Sequence, residues 1–159
     1  MAADGYSRIS MRKKFGVVAV QSQAGAENAM GGIAQAAADN IPILILLGGN
    51  SLDQISVKPN FNAVQKYQGW VKQVEAIYSP TQVGAVMRRA FSALKNGPPG
   101  PVVVEMTTDV CQQNVPEEYQ NYKSPSYSLQ VPNTNEIAKA IELWQKARKP
   151  VIWAGGGVL

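Results

Sequence analysis

The apolar positions of the chain fall into two kinds of run. Gly16–Val20 (GVVAV), Pro42–Leu47 (PILILL) and Pro101–Met106 (PVVVEM) are short, continuous and rich in branched side chains. Such runs, apolar without alternation, are the pattern of parallel strands covered on both faces. Between them the apolar positions recur at helical spacing. Residues 26–38 place Ala, Met and Ile on one stripe, and Val83, Val86, Met87, Ala90, Phe91 and Leu94 form a second. Ser79-Pro80 opens the second helix and Asn96-Gly97 stops it. Strands alternating with helices predict an α/β fold: a largely parallel sheet flanked by helices.

The ends of the chain fit the same grammar. Met1–Arg8 (MAADGYSR) reads as the end of a helix with no capping residue before it. Residues 112–133 bring prolines, tyrosines and amides without a periodic stripe, and predict a linker lying along the surface. A helix capped by Thr134 or Asn135 then runs to about Arg148, and Lys149–Ala154 (KPVIWA) predicts a strand leading into Gly155-Gly156-Gly157. The expected organisation is one domain over 1–111, a linker over 112–133, and over 134–159 the first helix and strand of a second, Rossmann-like domain. Both domains are expected to be incomplete, and the isolated chain to fold poorly or to associate through open sheet edges.

Composition narrows the chemistry. The net charge of +4 is spread along the chain apart from Arg12-Lys13-Lys14, a solvated loop without the aromatic platform of a nucleic-acid site. There is no histidine, which excludes a Ser-His-Asp triad, a Cys-His pair and histidine metal sites within the chain. The single Cys111 cannot form an internal disulfide and is expected as a small, semi-buried side chain at a strand end. No apolar run approaches the roughly 20 residues of a membrane span. The chain thus reads as soluble, with no nucleic-acid or membrane partner, and cytoplasmic, an organelle remaining open.

Four blocks, in order and spacing, resemble one family. They are MAADGYSR at 1–8; GVVAVQSQAGAEN at 16–28 with DNIPILILLGG at 39–49; NGPPGPVVVEMTTDV at 96–110; and ARKPVIWAGGGV at 147–158. Together they resemble the thiamine-diphosphate (ThDP) enzymes of the acetolactate synthase-like group, from the pyrimidine-binding (Pyr) domain to the start of the central domain. The resemblance implies a ThDP- and Mg2+-dependent lyase or transferase that decarboxylates or ligates 2-oxo acids. It implies a homodimer or homotetramer whose active site forms between subunits. The cofactor acts as nucleophile and the protein sets protonation states. The activating glutamate is expected upstream of Met1 and the Mg2+ site in a C-terminal domain, so no catalytic or metal residue is assigned here and the chain alone is expected to be inactive. Gly155–Gly157 fits a tight turn or, by the resemblance, a nucleotide turn, which keeps FAD open for the parent protein.

Within the second block, Ser22, Gly25, Ala26 and Asn28 match the family pattern, while Gln23 stands where glycine is usual, Ala24 where proline is, and Glu27 where threonine is. By the resemblance Ser22, Gln23, Ala24, Gly25 and Asn28 are the candidate cofactor-binding residues, in a loop whose small side chains before a helix N-terminus would let backbone groups approach a flat ring. Gln23 either projects into the cleft or faces solvent. Asn60, Phe61 and Asn62 are the substrate-side candidates, by likeness to a stretch that precedes a family strand, with Val71 where a threonine is usual. Phe61, Tyr67 and Trp70 alternatively pack a loop and helix onto the sheet. A non-catalytic nucleotide- or ThDP-binding α/β scaffold, or an oligomerisation domain, remains the competing reading.

Overall fold

A computed structural model describes residues 1–128 and 131–158. Leu129 and Gln130, inside the predicted linker, and Leu159 lie outside the described residues. The chain divides into two compact units, Met1–Tyr127 and Ser128–Leu159.

The first unit is built on four strands: β1 (Gly16–Val20), β2 (Ile43–Gly49), β3 (Gln73–Ile77) and β4 (Val102–Thr107). All pair in parallel, in the order β1-β2-β4-β3. The α/β fold with a largely parallel, helix-flanked sheet is therefore observed. The two central strands are the two most apolar runs. Ile45, Leu47, Val102, Val103 and Val104 are fully buried, and each contributes about 1.5–3 kcal/mol relative to an exposed position.

Five helices accompany the sheet in this unit: α1 (Ala2–Ile9), α2 (Ala24–Ala38), α3 (Ala63–Tyr67), α4 (Val83–Lys95) and α5 (Thr108–Cys111). The core forms two layers. On one side Ala26, Ile33 and Ala36 of α2 and Ala63 and Tyr67 of α3 meet Ile43, Ile45, Leu47 and Val103. On the other, Val86, Ala90 and Leu94 of α4 meet Leu44, Ile77, Val102 and Val104. Ser7 anchors α1 by donating to Pro42 O (2.7 Å) while its Oγ accepts from Gly16 N (2.8 Å).

Several local expectations shift. α2 begins two residues earlier than the stripe suggested. The strand expected near Val71 starts at Gln73, just after Lys72, whose N–H donates to Pro101 O (3.0 Å). Cys111 is exposed rather than semi-buried, since β4 ends at Thr107 and a helical turn carries the cysteine out into solvent. After it, residues 112–127 lie against α4: Lys95 Nζ donates to Ser124 Oγ and Pro125 O, and Tyr122 packs on Phe91 with ring centroids 6.1 Å apart.

In the second unit α6 (Thr134–Lys146) forms as expected, but its cap is Asn133, whose side chain accepts from Asn135 N. The predicted strand over 149–154 is not formed. It has no strand partner among the described residues of this unit, and Val151, Ile152 and Trp153 are exposed, Trp153 at 98%. A short 3-10 turn over Gly156–Val158 follows.

Candidate functional site

The site is assembled at the carboxyl ends of β1, β2 and β4, the end at which open parallel sheets generally present ligands. β1 runs into Gln21–Gln23, and α2 starts at Ala24 with no side-chain cap at its N-terminus. The loop lies directly on β2: a Cβ placed on Gly48 would approach Ser22 N to 3.1 Å, tight enough that the loop would have to give by a few tenths of an ångström.

Gln23 has φ +55° and ψ −114°, a backbone region that favours glycine. A non-glycine residue there costs of order 1–3 kcal/mol and persists only where its surroundings hold it. The hold is visible. Gln23 Nε2 donates to Asn60 Oδ1 (2.8 Å) and Gln23 Oε1 accepts from Phe61 N (3.1 Å). Asn50 Nδ2 donates to the same Asn60 oxygen (2.6 Å), and Asn60 Nδ2 donates to Ile55 O (2.7 Å). Asn62 caps α3 by accepting from Gln65 N (2.9 Å).

The two candidate sets, separated by more than thirty positions in sequence, are thus one structure. Gln23 neither projects freely into the cleft nor faces solvent; its amide joins the two loops. A further tie lies behind them, where the buried Tyr67 hydroxyl donates to Ala26 O (2.5 Å). Burial pushes that phenol up to about 12. Phe61 meets Tyr67 edge-on at 6.5 Å and Trp70 lies 5.1 Å from Tyr67, so these aromatics do pack the loop and α3 onto the sheet.

Not every candidate joins this cluster. Ser22 is half-buried and Ala24 exposed at the loop's turn, and Gly25 N donates to Ser22 O at 3.4 Å. Asn28 lies elsewhere, on a groove of about 330 Å3 bounded by α1, β1 and α2. Three residues unmarked by sequence reasoning do reach the cluster: Asn50, Glu105 and Thr107, which share a small pocket with Asn60–Asn62. Burial raises the pKa of Glu105 above the ordinary glutamate value. Nothing in PVVVEM distinguished Glu105 from a strand's polar end. Among the described residues no group of three or more His, Cys, Asp or Glu side chains could hold a metal ion.

At this turn the α2 N-terminus has no side-chain cap and the loop backbone rests on Gly48. Comparison with known proteins bears on the domain as a whole. Residues 1–76 match the family model described as thiamine pyrophosphate enzyme, N-terminal TPP binding domain. The acetolactate synthase large subunit of Buchnera aphidicola (subsp. Schizaphis graminum) is 31% identical over 99% of this chain and 28% of its own length. That of Haemophilus influenzae is 33% identical over the same shares. The chloroplastic acetolactate synthase of Arabidopsis thaliana is 28% identical over 99% of the chain and 24% of its own. The chain spans about a quarter of the length of these relatives, 24% to 28%. Together the fold and these matches identify residues 1–76 as the N-terminal TPP-binding domain of a thiamine pyrophosphate enzyme and make the chain acetolactate synthase-like.

Proposed function

We propose that this chain supplies the pyrimidine side of a ThDP- and Mg2+-dependent site that decarboxylates or ligates 2-oxo acids. The observation that carries the reading is the seating of the 22–25 loop on Gly48 together with its amide link to Asn60 and Phe61. Bound there, the cofactor supplies a carbon nucleophile for a carbonyl substrate. The chain's own residues do three things. The loop backbone and Gly25 offer a flat face to the ring. The α2 N-terminus presents N–H donors to polar ring atoms. Asn60, Phe61 and Asn62 wall the adjoining space, where a substrate would lie.

The diphosphate and Mg2+ would be held by a further domain, and the activating carboxylate by residues outside this sequence, in keeping with an active site shared between subunits of a homodimer or homotetramer. On this reading residues 1–111 are the Pyr domain, 134–159 belong to the central domain, and the chain alone is inactive. A flavin on the central domain belongs to the same proposal.

The test is calorimetric titration of ThDP with Mg2+ into this chain and into the complete reading frame that encodes it. Saturable, Mg2+-dependent binding by the latter, weakened by Gly48→Val, supports the reading and justifies a 2-oxo acid screen. No binding by the complete protein overturns it and leaves a scaffold.

A further inference from the structure

Beneath the Gln23–Asn60 link, β2 and β4 end side by side, Gly49 in register with Thr107. Glu105 and Thr107 are two apart on β4 and share a face. With Asn50, Asn60 and Phe61 they line a pocket of about 20 Å3. A bound water needs on the order of 10–15 Å3 and two or more polar partners, so the pocket has room for one.

Its polar groups are under-used. Thr107 is 1% exposed, and its Oγ1 has no hydrogen-bond partner among the described residues. Buried hydroxyls in this state are rare, and a bound water or ion is one of the reasons for them. Glu105 is half-buried and makes no ion pair or hydrogen bond among the described residues. Asn60 is mostly committed elsewhere: its oxygen already accepts from Gln23 and Asn50, and one of its two amide protons goes to Ile55 O. The carboxyl's place is built in: a Cβ on Gly49 would stand 3.0 Å from Glu105 Cγ and 3.2 Å from Oε1, so glycine there makes the room it occupies.

We propose that this pocket binds one water molecule between the Thr107 hydroxyl and the Glu105 carboxyl, and that Glu105 is the proton-holding group on the substrate side of the site. The carboxyl O–H gives its proton to the water while the water gives one of its own to an acceptor oxygen beside Asn60–Asn62. Carboxyl becomes carboxylate and the water is restored. The surroundings favour the protonated form. Burial disfavours the charge, and no cation offsets it. Tyr78, at the end of β3, is raised first by its own burial and then by Glu105. The other nearby carboxylates are engaged: Glu75 by Arg89, Asp53 by Ser51, and Asp109 by Leu52 N.

The water site stands on geometry alone; only the use of its proton rests on the proposed function. Two measurements on the full chain test it without thiamine diphosphate. Thr107→Val keeps the shape and removes the hydroxyl. If the hydroxyl holds a water, the melting temperature falls; if it is merely orphaned, the melting temperature rises and the water site is overturned. Infrared pH titration of the unmodified chain should show one protonated carboxyl persisting above the pH at which exposed glutamates ionise, absent from Glu105→Gln. A carboxyl band that titrates wholly with the exposed groups overturns the proton-holding role. Because neither readout involves the cofactor, a failure of the family chemistry leaves them standing. With both upheld, the loaded complete protein should show its acidic limb displaced by Glu105→Gln, with kcat affected more than KM.

Discussion

Gln23 shows how a single residue can be strained and stable together. Its backbone angles suit glycine, and its side chain is what holds the conformation, through two hydrogen bonds to a loop distant in sequence. Gln23→Gly removes the strain and the bonds together, and should leave stability within about 1 kcal/mol of the original, since each bond is worth about 0.5–1.5 kcal/mol. Gln23→Ala keeps the strain and loses the bonds, and should cost about 1–3 kcal/mol in denaturant unfolding. A double-mutant cycle of Gln23→Ala with Asn60→Ala should give a coupling of about 0.5–3 kcal/mol; additivity would deny the link. Glu105 makes a separate prediction about pH. Its folded pKa is raised above the ordinary 4.5, so the native state binds more protons than the unfolded chain over the interval between them. Its contribution is fully present below about 4.5 and is lost as pH rises through the folded value. Glu105→Gln should flatten that decline in a pH series of unfolding midpoints. Sequence could mark Gln23 as a departure but not tell its role, because its partners Asn60 and Phe61 come near only through tertiary structure.

Elements differed in how plainly they could be read. β1, β2 and β4 were legible as uninterrupted apolar runs, and α4 by its stripe and its punctuation at Pro80 and Gly97. β3 and α3 were not. β3 is an edge strand whose residues are mostly half-buried, so QVEAI carries little hydrophobic signal. α3 is a single turn made by the Asn62 cap and by Tyr67, whose hydroxyl docks on α2. Tyr67→Phe should therefore cost about 0.5–1.5 kcal/mol and loosen α3 rather than the sheet, visible as faster amide exchange at Lys66 and Tyr67. The reverse error fell on 149–154, where an apolar run has strand composition but, among the described residues of its unit, no partner to complete a ladder. A strand is a pairing, and composition reports only one member of the pair.

At the scale of the whole chain the two units differ in how their helices are supported. Helices α2 and α4 bury a face on the sheet, whereas every described residue of α6 is exposed. Helices of about 12–15 residues are marginal in water without packing, so hydrogen exchange should find α6 barely protected and β2 and β4 the slowest to exchange. The order β1-β2-β4-β3 also bears on the order of events in time. β4 is the last strand in the chain, yet it is the one that joins β2 to β3. Until it has been made and inserted, the sheet consists of the β1-β2 pair and an unattached β3, and the floor between Asn50 and Thr107 does not exist. Nucleation must therefore wait for a contact between distant parts of the chain, which is slow to find. Val103→Ala should slow folding more than it speeds unfolding, in contrast to Val18→Ala on the outer strand, and the last part of this protein to take shape should be its candidate site.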